Sequence, residues 1–138
     1  MTDYGTATSG TEIAFSSCVD ERHPPENIID GTDRSFWVTT GLFPQTVLLR
    51  FSADIPVARI KTITTNVRKL IFETSSEAPV RGEAPKDFQV VHEVEVADRN
   101  GRLQTENNTV NKTTARFLRI TVASGWDDFA SIRRISIE

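Results

Sequence analysis

Apolar and polar residues alternate in short runs along most of this chain. In "TVLLRF", Val47, Leu49 and Phe51 alternate with Leu48 and Arg50. In "ARIKTITT", Ile60, Thr62 and Thr64 oppose Arg59, Lys61 and Ile63, and in "RFLRITV", Leu118, Ile120 and Val122 oppose Arg119 and Thr121. A period of two in stretches rich in Val, Ile, Thr and Phe is the pattern of half-buried strands. The same reading predicts strands over Glu12–Ser16, Val67–Thr74, Asp87–Val96 and Ser131–Glu138. No segment carries an apolar stripe at helical spacing over three turns, so the chain is expected to be all-β.

Short strands separated by turn chemistry suggest two packed sheets, a β-sandwich or jelly roll. "RNGR" at Arg99–Arg102 is the clearest hairpin signal, because Asn-Gly readily takes the positive φ values of a tight turn. "SSEAPVRGEAPKD" (Ser75–Asp87) reads as a polar, mobile connection between strands.

"HPPENIIDGTDRSFW", from His23 to Trp37, fits neither period. Proline suits the first turn of a helix, where its missing N–H would be unbonded anyway. The spacing predicts one short helical turn over Pro24–Ile29, closed by Asp30-Gly31, with Ile28 and Ile29 beneath the sheets and Phe36 and Trp37 in the core. Such a turn leaves carbonyls unpaired at its carboxyl end. The carbonyl of Asn27, the carboxylate of Asp30, the carbonyl of Thr32 and the hydroxyl of Ser35 can converge there as the irregular all-oxygen shell that Ca2+ prefers. The same residues also suit a plain capped turn without an ion, since Asp-Gly turns are common loop elements. Both readings stay open on the residues alone.

Composition narrows the class of protein. The 138 residues fit one domain, 1–138, large enough to bury a core of its own. A formal net charge of -3 is too mild for a nucleic-acid surface, and Arg68-Lys69 and Arg133-Arg134 read as solvated strand faces. A single cysteine, Cys18, excludes an intrachain disulfide. The opening "MTDYGTATSG" has no basic start followed by an apolar run, so a reducing, cytoplasmic compartment is expected, without insertion into a membrane. The two Asn-x-Thr patterns at Asn107 and Asn111 then read as a Thr-rich turn without a glycan.

Candidate chemistry is sparse. His23 and His92 each lack a neighbouring Cys or second His, which argues against zinc, and His23 reads as closing a turn. Ser16-Ser17 and Cys18 lack the flanking glycines of a nucleophile elbow, and no enzyme activity is expected. Trp126 in "ASGWDDFAS", with Asp127 and Asp128 beside it, reads either as an exposed anchor for a partner or as core packing beneath a loop. Phe43 in "GLFPQ" carries the same two readings.

The run Asn-x-x-Asp-Gly-x-x-x-Ser-Phe-Trp resembles the signature of discoidin, or coagulation factor 5/8 type C, domains, which are galactose-binding-like jelly rolls. "GLFPQTVLLRF", "RFLRITV" and "FASIRRISIE" resemble later strands of that family, so the likeness spans about Thr11 to Glu138. It implies a structural Ca2+ held by Asn27, Asp30, Thr32 and Ser35. The family often adds a glutamate from the last strand, where Arg134 stands here, so one anionic ligand is missing. "DERHPPENIIDG", "SFWVTTGLFPQ" and "DDFASI" look like the ciliary branch of the family. That likeness implies a non-catalytic subunit of the intraflagellar transport B complex, in the cilium or flagellum and the cytoplasm. Its implied partner is a Rab-like small GTPase, intraflagellar transport protein 27, met through residues such as Trp126, Asp127 and Phe43. A carbohydrate-binding module of the discoidin type is the alternative, with Trp126 and Asp127 on a sugar-stacking rim.

Overall fold

The computed structural model describes residues 3–32, 34–39, 42–81 and 83–138. Among the described residues seven strands follow in chain order: β1 (Glu12–Ser16), β2 (Trp37–Val38), β3 (Gln45–Thr65), β4 (Val67–Ser75), β5 (Gln89–Glu95), β6 (Gln104–Gly125) and β7 (Ser131–Ile137). Two 3-10 turns, Ala7–Ser9 and Pro25–Ile29, are the helical elements. Every pairing is antiparallel.

The strands make a jelly roll in which two layers share two long strands. The amino-terminal half of β3 pairs with β1 and with the carboxyl half of β6, which continues to β4 and β5. The other half of β3 pairs with the amino-terminal half of β6 and with β7, which carries β2. The two halves of β3 are separated by a shift of register between Arg50 and Ile55, where extra residues bend the strand out of one layer into the other. The runs Val47–Phe51 and Arg59–Thr64 are therefore parts of one strand rather than two strands.

Alternation fills the core. Val47, Leu49 and Phe51 from β3, Leu118, Ile120 and Val122 from β6, Leu70 and Phe72 from β4 and Ile132, Ile135 and Ile137 from β7 are all buried in one cluster. Leu48, on the opposite face of β3, is buried as well; with Phe117 it lines a groove whose other wall is Pro79, Val80 and Ala84 of the β4–β5 connection.

Two expectations need correction. The Asn107–Thr113 stretch is not a turn but part of β6, with Asn108 buried, its side-chain amide donating to the Ile60 carbonyl at 3.1 Å and its Oδ1 meeting His92 Nε2. The polar residues there suit a strand because one face is exposed and the inward Asn108 is satisfied. Asn100 and Gly101 both take positive φ, 55° and 82°, as an Asn-Gly turn should. The turn does not make a hairpin, however, because β4 lies between β5 and β6. The Ser75–Asp87 connection is tied down by the Glu77 carboxylate, which accepts the backbone N–H of Lys86 and of Asp87.

Candidate functional site

The opening loop forms as its prolines dictate. Pro24, extended at φ -70° and ψ 160°, precedes the 3-10 turn Pro25–Ile29, and Ile28 and Ile29 are buried beneath it. Asp30 ends the turn and Gly31 follows at φ 81°, a left-handed conformation that favours glycine. Trp37 is fully buried, its indole N–H donating to the Cys18 carbonyl at 3.1 Å. Phe36 departs from expectation: it is half-buried, stacked on His23 with ring centroids 4.2 Å apart and facing the Arg133 guanidinium at 4.9 Å. Position 36 therefore supports an aromatic–cation stack outside the core.

Of the four residues expected to hold a cation, three meet at one carboxylate. Asp30 Oδ1 accepts the N–H of Thr32 at 3.0 Å, and Oδ2 accepts the hydroxyl of Ser35. Asn27 is tied to the far end of the loop, its Nδ2 donating to the Phe36 carbonyl at 3.0 Å. Thr32 meets Asp30 through its N–H rather than its carbonyl, and the one carboxylate with the Ser35 hydroxyl is an oxygen chemistry that suits Ca2+ rather than a softer metal. Arg134, standing where the family often has glutamate, is turned to Asp3 at 3.5 Å. Asp3 in turn accepts the N–H of Gly5 and of Ile137, and so ties the amino-terminal segment to β7.

A second site lies where the β2–β3 loop meets the turn after β6. It brings together Phe43, Trp126 and Asp127, and joins to them Leu42, Gly125, Asp128 and Phe129 around an open cavity of about 610 Å³. Trp126 resolves its two readings by being both anchored and exposed. Its backbone N–H donates to the carbonyl of Asn66, itself at φ 57°, and its indole N–H donates to the Val96 carbonyl at 2.8 Å. The Arg68 guanidinium lies 4.9 Å from the ring centre, yet 42% of the residue stays exposed. Phe43 is partly buried against the core, while Leu42 is 91% and Phe129 59% exposed.

Leu42, Trp126 and Phe129 thus expose apolar surface together at this end of the molecule. Asp127 and Asp128 edge the cavity, and among the described residues neither pairs with a cation. Leu42 and Phe129 were not singled out from the sequence. Both sit among turn residues, where an isolated apolar side chain carries no period, and their adjacency depends on loops far apart in the chain.

The fold is that of a galactose-binding-like jelly roll. A family 32 carbohydrate-binding module of Clostridium perfringens NanJ, solved in complex with galactose, superposes with a TM-score of 0.76 over 99% of this chain and 97% of that one; at 18% identity the likeness is one of fold. No family model matches the sequence. Relatives match along nearly all of this chain: intraflagellar transport protein 25 of Chlamydomonas reinhardtii is 43% identical over 99% of this chain and 69% of its own length. The Mus musculus homologue is 36% identical over 99% and 92%. The chain belongs to the intraflagellar transport protein 25 family.

Proposed function

We propose that this chain is a non-catalytic subunit of the intraflagellar transport B complex that pairs with a Rab-like small GTPase, intraflagellar transport protein 27. In that role it supports cargo transport in the cilium or flagellum, and it is also present in the cytoplasm. Kinship to intraflagellar transport protein 25 along nearly all of this chain supports the role. The observation that carries it is the loop-end cavity, where an anchored but exposed Trp126 stands among Leu42, Phe43 and Phe129 with Asp127 on the rim. Trp held rigidly in an apolar surround is the residue type that most often dominates a protein interface. A sugar rim is the weaker reading, because Arg68 already covers the indole and its N–H is engaged by Val96.

The test is co-expression with that GTPase followed by size-exclusion chromatography with light scattering. A one-to-one complex is expected. Two separate monomer peaks would overturn the partner and direct the search to glycans.

The second part of the proposal is a structural Ca2+ held by Asn27, Asp30, Thr32 and Ser35. Its support is the Asp30 carboxylate with the Ser35 hydroxyl beside it, within a loop already closed by Asn27. When bound, the ion supplies positive charge at the end of the 3-10 turn, where carbonyls would otherwise face one another. Its role is to pin the loop in place.

A further inference from the structure

Resting on the reading that the loop-end cavity is the partner surface, we infer that the segment it receives is a basic amphipathic one. It offers a bulky aliphatic or aromatic side chain, with a lysine or arginine within one helical turn of it. The cavity lining is mixed: Leu42, Phe43, Trp126 and Phe129 turn carbon surface toward a large side chain, and Asp127 and Asp128 supply polar surface beside them. Trp126, fixed at its backbone N–H, its indole N–H and one ring face, loses little freedom on binding.

Charge selects the occupant further. The Asp127 carboxylate accepts the N–H of Asp128 at 2.7 Å, which holds the two acids side by side at the rim. Their negative charge is not cancelled by an ion pair among the described residues. Arg68, the neighbouring cation, lies over the indole instead. An apolar segment flanked by acidic residues would be repelled here. One flanked by lysine or arginine would be drawn in, most strongly at low ionic strength.

The experiment measures association of the purified chain with the Rab-like GTPase by titration calorimetry and stopped-flow, from about 50 mM to 500 mM salt. Three chains are compared: the parent, Trp126→Ala, and the double variant Asp127→Asn with Asp128→Asn. Circular dichroism melting confirms that each is folded. Trp126→Ala should weaken binding about 30-fold or more at every salt concentration. The double variant should bind roughly 3–10-fold more weakly at low salt, chiefly through a slower association rate, and match the parent at high salt.

Failure to form any complex with the parent overturns the partner reading itself. A parent complex indifferent to Trp126→Ala moves the interface elsewhere on the chain. A complex that needs Trp126 but shows the same salt dependence with and without the two acids overturns the basic-segment inference alone. Binding of galactose-containing glycans that is lost in Trp126→Ala would assign the cavity to sugar instead.

Discussion

Phe43 and Gly125 are packed so closely that a β-carbon on Gly125 would lie 2.6 Å from Cζ of the Phe43 ring. The same carbon would meet the carbonyl oxygens of Asn66 and Asp127 at 3.0 Å. Glycine at the end of β6 thus lets the β2–β3 loop lean on the turn that carries Trp126. Gly125→Ala should cost about 1–3 kcal/mol, the usual range for overpacking. The expected readout is a lower denaturation midpoint and an altered Trp126 fluorescence. Combining it with Phe43→Leu should recover part of the loss; full additivity of the two changes would show that they do not touch.

Gln104 is the polar joint of the interior. It is 1% exposed, accepts from Thr64 Oγ1 and the Val67 N–H, and donates to the carbonyls of Val67 and Ala97. Gln104→Ala removes all four contacts and leaves backbone groups unpaired, at roughly 1–3 kcal/mol for each one that water cannot reach. A loss of about 2–4 kcal/mol in urea unfolding is expected. A change within a few tenths would show that water replaces the amide.

The β4–β5 connection should loosen in acid. Chiefly the Asp87 N–H, with that of Lys86 contributing, holds the Glu77 carboxyl below its ordinary value of 4.5. Because the folded pKa is the lower one, the contribution of these bonds is complete above the unfolded value and is lost as pH falls through the folded pKa. Exchange of the Lys86 and Asp87 amides, corrected for its intrinsic pH dependence, should therefore speed up as the pH falls below the ordinary carboxylate range. Glu77→Gln should show the looser behaviour already at neutral pH. Protection that is flat with pH in the parent would remove Glu77 as the latch.

Calcium occupancy has a direct thermal signature. A chelator should lower the melting temperature of the parent, while Asp30→Ala should melt lower from the start and not respond. At about a hundredfold excess of ion over its dissociation constant, the expected stabilisation is about 2.7 kcal/mol. A parent that melts identically with calcium and with chelator would leave the loop as a self-contained capped turn. Ser35→Ala should give an intermediate response, since it removes one oxygen and one partner of Asp30.

Local pattern and distant contact differ in how they can be read. The strands were legible because each buries one face: Val47, Leu49 and Phe51 on β3 and Leu118, Ile120 and Val122 on β6 carry the period in plain view. The Pro25–Ile29 turn was legible from its prolines, and Asp30 from the glycine after it. The continuity of β3 was hidden by the bend at Arg50–Ile55, which interrupts the alternation and mimics a loop. Asn108 misled because a polar side chain satisfied by a backbone carbonyl is indistinguishable in sequence from one facing water. At the loop-end cavity, Trp126 and Phe43 stood out by type. Leu42 and Phe129 did not, because their significance comes from each other's company across the fold.

Sharing β3 and β6 between both layers has a consequence for how the molecule comes apart. Neither layer owns enough strands to persist by itself: removing β3 or β6 from one sheet takes the centre out of the other. Half-assembled forms with one sheet intact are thereby disfavoured, and a single all-or-none melting step is expected. Trp126, one residue past the end of β6, is consequently tethered to the strand common to both layers, so a partner that grips it holds the whole domain.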